Sequence, residues 1–394
     1  MIGLGAGPGG VARSQPVEIL GSPTALTSTS DRIISYRHQE HSWQTADGAL
    51  HIIINCGAQS RGASLVLYSS FDGGTTWQAM TSFAGSDRTS TCDGELVGGQ
   101  LLVVYPDNSD DLRLADLSYN AGTRQWSFNG TQFVAKSALV KYLNPALTKD
   151  ARGRTWCAYV LQNPRTSSVE IRLSYQPAGA TSWSDTRLTF GVVGSGGVKR
   201  SARPVQLLDG VGMAYSVDAS IYWAKRLDEW SEDSAWAVST IFTGQPDADP
   251  YASHFSVATD AFGNVHLAAV DAGRVVYARL LRGELAWRPA VELTGFAGAN
   301  YVQTSLCSGN LVVIGNTSDQ TLRLYQSSDA GGTFAYTGHL SHAPAPAGSN
   351  ISYDLPRLEA PGLSSSPLPV FQQYQQGTTE KLLFFSAPVL AAQN

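Results

Sequence analysis

One eight-residue pattern occurs twice in this chain, far apart, and it limits the folds open to the sequence. It reads Ser70-Phe71-Asp72-Gly73-Gly74-Thr75-Thr76-Trp77 and again Ser327-Ser328-Asp329-Ala330-Gly331-Gly332-Thr333-Phe334. Both copies are S-x-D-x-G-x-T followed by Trp or Phe, and both follow a strand-like apolar run, Leu65–Tyr68 and Leu322–Tyr325. Such a segment closes a hairpin. The aspartate accepts backbone N–H bonds inside the turn, and glycine supplies the positive φ that the reversal needs. The terminal aromatic opens the next strand and packs beneath the turn.

Degenerate copies fill the interval, each leading to an aromatic residue. The markers are Trp77, Trp126, Trp183, Trp236, Trp287 and Phe334, spaced by 49, 57, 53, 51 and 47 residues. A period near 50 residues with several short strands per unit is the signature of propeller blades. Each unit carries β-branched and aromatic runs bounded by Gly, Asp and Asn. No stretch shows a sustained 3.6-residue apolar period, so no sizeable helix is expected. Six markers account for six blades. The runs Tyr353–Arg357, Leu368–Tyr374 and Lys381–Ser386 supply three strands of a seventh. Pro16–Leu20 is then the orphan that completes it by pairing beside Lys381–Ser386, a closure that removes free sheet edges. The expected fold is all-β: a seven-bladed β-propeller of four-stranded antiparallel blades, closed by the N-terminal strand. Residues 1–15 are read as a flexible segment and 16–390 as one propeller domain.

The repeated turn resembles the Asp-box of sialidases and related repeat propellers. The resemblance implies that Asp72, Trp77, Asp329 and Phe334 are structural, on the face of the disc opposite the site. Chemistry is expected where the inner strands begin. The segment Tyr36-Arg37-His38-Gln39-Glu40-His41-Ser42-Trp43 is the densest of these starts. Others are Lys141-Tyr142, Lys199-Arg200-Ser201-Ala202-Arg203, Tyr251-Ala252-Ser253-His254, Asn300-Tyr301 and Ser352-Tyr353. Histidine, arginine and tyrosine suit an anionic sugar: arginine forks a carboxylate, tyrosine packs on or hydrogen-bonds sugars, and histidine exchanges protons near neutrality.

The match to sialidases is partial. Ile-Pro follows the first arginine in that family, whereas His38-Gln39 follows Arg37 here, and the loop Asn55–Arg61 lacks their acidic residue. The histidine-rich chemistry looks more like the seven-bladed uronate-cleaving lyases and rhamnosidase-type propellers. That likeness implies β-elimination on an acidic polysaccharide. Arg200 or Arg203, with Arg37 as substitute, would neutralise the uronate carboxylate. His38 or His41 would be the base, Tyr142 or His254 the acid, and Trp43, Tyr301 and Tyr353 would complete the substrate site. A hydrolase would instead need two carboxylates, for which Glu40, Asp93 and Asp354 are the candidates. Binding without catalysis, as in lectins or virion adhesins, is the competing class. The segments before the inner strands differ from blade to blade, so one asymmetric site is expected rather than a repeated one.

Charge and cysteine usage narrow the classes further. A formal net charge of −5 gives no global attraction for nucleic acid. No 18-residue apolar run is present, so no membrane insertion is expected. The Gly-rich start Met1–Gly10 lacks the basic and apolar regions of a signal peptide, which fits an exported protein trimmed of its leader or a virion component. Cys56, Cys92, Cys157 and Cys307 form no C-x-x-C pair and read as buried thiols, with a Cys56–Cys92 bridge left open. No cofactor is expected, a structural divalent cation is left open, and composition says nothing about oligomeric state.

Overall fold

In the computed structural model, the described residues are 25–28, 33–34, 36, 38–57, 63–193, 200–217, 220–231, 234–244, 255–299, 301–317, 322–340, 358–359, 361–376, 379–387 and 389. Within them every regular element is a β-strand. Six sheets have four antiparallel strands each, and one further sheet has five. Blade one is Ser42–Gln44, Leu50–Asn55, Leu65–Ser70 and Gln78–Ser82, in chain order from the channel outward. Blades two to five repeat that order, with inner strands Asp93–Val97, Lys141–Lys149, Arg200–Leu207 and Phe255–Thr259. The expectation of uniform four-stranded blades is met by six sheets. The exception is the blade begun by Val302–Cys307, whose inner edge takes a parallel fifth strand, Leu363–Ser364.

The remaining sheet joins the two ends of the chain. Leu358–Glu359, Leu368–Gln376 and Thr379–Ala387 are followed at the outer edge by Ala25–Ser28. Ala25 pairs with Leu383 and Ser28 with Glu380, antiparallel. The closing strand is therefore Ala25–Ser28. The expected Pro16–Leu20 lies outside the described residues, as do the other residues up to Thr24.

The two S-x-D-x-G-x-T turns have the same bonding. Ser70 Oγ donates to Asp72 Oδ1 at 2.8 Å, the Thr76 amide donates to Oδ1 at 2.9 Å, and the Thr76 hydroxyl donates to Oδ2 at 2.6 Å. Ser327, Asp329 and Thr333 reproduce this at 2.7, 2.9 and 2.9 Å. A Cβ on Gly74 would sit 1.8 Å from Phe384 of the neighbouring blade, and one on Gly331 would sit 1.8 Å from the Tyr277 hydroxyl. Glycine at these two positions thus serves contact between blades as well as positive φ. The cores lie between blades: Trp43 and Tyr105 join blades one and two, while Trp156, Tyr215 and Trp236 join three and four. All four cysteines are buried and free, which settles the Cys56–Cys92 question in favour of thiols.

Candidate functional site

The start of blade one crosses the channel. The Gln39 amide donates to the Tyr36 carbonyl at 3.0 Å, closing a tight turn, and Gln39 Nε2 donates to the Pro145 carbonyl of blade three at 2.7 Å. His38 packs against one ring of its own segment and one of blade five. Its centroid is 5.9 Å from that of Tyr36 and 5.9 Å from that of Phe255, the first inner-strand residue of blade five. His38 and His41 are 2% and 1% exposed. The polar density noted in the sequence thus forms a plug packed across the channel.

Below this plug lies a charged cluster drawn from several blades. Asp93, fully buried, accepts the Glu40 amide at 2.6 Å and the Leu147 amide at 2.7 Å, and it is ion-paired with Arg203. Arg203 also reaches Glu40 at 3.4 Å. The other Glu40 oxygen accepts the Gly362 amide at 3.2 Å. Glu95 accepts the Lys149 amide at 2.7 Å. Blades one to four and the segment at Gly362 therefore meet through three carboxylates and one guanidinium. Burial alone would lower the Arg203 pKa, but Asp93, Glu40 and Glu95 reverse that and raise it. Burial pushes the Glu95 carboxyl up to about 7, with Arg203 and the Lys149 amide only partly opposing it.

A cavity of about 430 Å³ opens beneath the cluster, lined by Glu40, Glu95, Arg203, Thr148 and Trp43 among others. Its walls are the C-terminal halves of inner strands, including Val97, Gln206 and Thr259. Antiparallel alternation puts those strand ends on the same face as the S-x-D-x-G-x-T turns. The sequence reading looked to the opposite end. Asp260 adds a further carboxylate at the rim, held at about 2 against burial by the His266 and Asn264 side chains. Three acidic groups and one arginine line this space, so it favours neutral or cationic ligands over anionic ones.

The expected site residues are distributed as follows. His38, His41 and Arg203 converge on the plug and the cluster below it, with Arg203 committed to carboxylates of its own chain. Arg200 is buried, and its carbonyl accepts Asn144 Nδ2 at 3.2 Å. Tyr142 packs edge-on to Tyr159 at 5.4 Å in the core between blades two and three, after which a bulge at Asn144 shifts the register. Trp43 lies in the core between blades one and two, where its ring fills the space over Gly94. Tyr301 sits in the core next to the closing blade. Arg37, His254 and Tyr353 lie outside the described residues. Trp77 contacts Phe371 and Phe384 edge-on, both at 5.6 Å, and Phe334 contacts Tyr277 at 4.7 Å.

Glu95 was not singled out in the sequence. The available signal was the triplet Asp93-Gly94-Glu95 on an inner strand, because alternate residues of a strand face the same side. Among the described residues no group of three or more His, Cys, Asp or Glu is arranged to hold a metal ion. No helix among them is long and apolar enough to cross a membrane.

No protein-family model matches the chain, and no curated protein matches it. Solved structures do resemble it. A triple mutant of AofleA from Arthrobotrys oligospora has a TM-score of 0.50 at 10% identity, covering 81% of this chain and 90% of that one. Trypanosoma rangeli sialidase in complex with the inhibitor DANA has a TM-score of 0.48 at 10% identity, covering 92% of this chain and 59% of that one. The polysaccharide lyase Uly1 has a TM-score of 0.45 at 10% identity, covering 90% and 92%. At such identities the likeness is one of fold: the chain is an all-β propeller of four-stranded antiparallel blades.

Proposed function

We propose that this propeller acts on carbohydrate at a single site in the channel, by acid–base chemistry between Glu95 and Glu40. The carbohydrate assignment rests on the resemblance of its repeated turns to those of glycan-active propellers. The chemistry rests on one observation: two carboxyl groups in different surroundings, Glu95 and Glu40, face one cavity. Burial pushes the Glu95 carboxyl up to about 7, toward the protonated form, while Glu40 lies against the Arg203 guanidinium. Pairs whose surroundings differ in this way divide the roles of acid and base. Glu95 would donate its proton to the departing glycosidic oxygen, and Glu40 would serve the anomeric carbon or the water that attacks it. The net reaction adds water across the bond. The acidic lining directs the choice of substrate to a neutral or amino-sugar glycan. An extracellular or virion-borne protein would meet such a substrate.

A second reading keeps the acidic polysaccharide and β-elimination. It is favoured by His38 and His41, which lie three residues apart at the plugged end, with Arg200 beginning the fourth inner strand. One experiment separates the readings: incubation with panels of neutral, amino-sugar and uronate polysaccharides, following reducing ends and far-ultraviolet absorbance together. Hydrolysis gives reducing ends without absorbance, and Glu95→Gln abolishes it. New absorbance that survives Glu95→Gln and is lost in His41→Ala would overturn the carboxylate assignment in favour of elimination. Glycan retention with no bond broken would overturn both and leave a lectin or adhesin.

A further inference from the structure

A larger recess lies away from the channel. It occupies about 520 Å³ between blades two and three, on the face that carries the S-x-D-x-G-x-T turns. It shares no lining residue with the channel cavity. Its walls are the outer strand Gln125–Ala135 of blade two and the turn from Gln176 to Thr181 of blade three. Leu102 and Leu114, both largely buried, give it an apolar floor.

The polar groups of this recess are fixed by one another. Gln100 Nε2 donates to both oxygens of Asp116, at 3.1 and 3.0 Å. Asn129 Nδ2 donates to Asp116 Oδ1 at 3.0 Å and to Ser118 Oγ at 2.8 Å. Across the boundary between blades, Gln132 and Gln176 exchange reciprocal amide bonds at 3.3 and 3.0 Å. Planar amides and a carboxylate held in this way keep spare donors and acceptors in set directions. That preorganisation lowers the entropy lost on binding. Asp116 and Lys149 both line the recess, so its formal charges cancel.

We infer that this recess is a second, non-catalytic binding site for a neutral saccharide. A pyranose has an apolar C–H face to set on Leu102 and Leu114 and adjacent hydroxyls that donate and accept along amide and carboxylate edges. An ionic ligand would leave one of the two charges without a counterpart, and an apolar ligand would leave the amides unpaired.

Thr131 is exposed on the outer strand and lines the recess. Thr131→Trp therefore fills the space from outside while leaving the side-chain hydrogen bonds of the recess intact. The test is saturation-transfer NMR with methyl pyranosides of gluco, galacto, manno and fuco configuration, followed by titration of those that respond. At least one pyranoside is expected to bind saturably. Thr131→Trp should weaken it at least tenfold, Gln132→Ala should weaken it through loss of the amide pair, and Glu95→Gln should leave it within twofold. Thermal melting confirms that each variant is folded. Failure of all four sugars to bind saturably, or binding that Thr131→Trp leaves unchanged, would overturn the inference. Neither result bears on the channel chemistry, since the two cavities share no lining residue and neither Thr131 nor Gln132 touches the channel cluster.

Discussion

Replacing Asp93 by alanine is the most severe test of the view that the channel cluster holds the ring together. Its carboxylate meets Arg203 and two backbone amides, those of Glu40 and Leu147. Removing it leaves a buried guanidinium with Glu40 at 3.4 Å and the more distant Glu95, and strands two N–H donors. Breaking one side of a buried ion pair costs about 3–5 kcal/mol, and each orphaned amide adds about 1–3 kcal/mol where water cannot reach it. Water from the cavity below relieves part of this, so the expected loss is about 4 kcal/mol, a large share of the roughly 5–15 kcal/mol that stabilises a typical domain. Urea denaturation followed by tryptophan fluorescence measures it. Arg203→Met should be similarly costly alone, because it leaves Asp93 as an uncompensated buried charge. The double variant should lose at least about 2 kcal/mol less than the sum of the singles, since neighbours in one network are not additive. Additive losses, or a loss below about 1 kcal/mol for Asp93→Ala, would refute the reasoning.

Other outcomes follow from the same structure. Asp72→Ala should cost about 1–2 kcal/mol through lost turn bonds while sparing glycan turnover. The Thr76 hydroxyl and amide hold the Asp72 carboxyl at about 2, below its ordinary value of 3.8, so its contribution is present above about pH 4 and fades as pH falls through about 2; acid melting curves of the two proteins should therefore converge there. Glu95 has the opposite sign. Its folded value of about 7 exceeds the ordinary 4.5, so the protonated form stabilises the fold fully below pH 4.5, and this contribution is lost as pH rises through 7; Glu95→Gln should gain thermal stability relative to the parent between pH 5 and 8 and show no such gain at pH 4. Removing residues 1–28 should lower the melting temperature and promote association, because Thr379–Ala387 would become an open sheet edge; an unchanged melt in a monomeric protein would contradict closure by Ala25–Ser28.

The architecture was legible because a propeller repeats its local rules. Turn glycines, a period near 50 and an aromatic at the start of most outer strands are all local features. Trp77, Trp183, Trp236 and Phe334 each stand immediately before such a strand. What was not legible depends on how distant strands meet. Nothing local distinguishes Pro16–Leu20 from Ala25–Ser28 as the closing strand, since both are short and the choice lies in pairing with Thr379–Ala387. Tyr142 read as a channel residue because it begins an inner strand. The bulge at Asn144 leaves it in the core between blades instead. Arg203 read as a binder of substrate carboxylate, and it does bind carboxylates, but those of Asp93 and Glu40, which lie 110 and 163 residues away in sequence. The histidines drew attention by their density, although burial fixes them in a plug. Glu95 stood unnoticed because its burial and raised pKa arise only when two other blades, three and four, close around it.

The central claim is that the working site is the cavity between Glu40 and Glu95. A crystal structure of Glu95→Gln, soaked with whichever panel glycan the parent protein cleaves, tests it most directly. The account predicts a sugar ring in the channel cavity, with its glycosidic oxygen facing residue 95 and its anomeric carbon facing Glu40. A ring seated over the Tyr36–His41 plug, with the cavity between Glu40 and residue 95 filled by water alone, would contradict it.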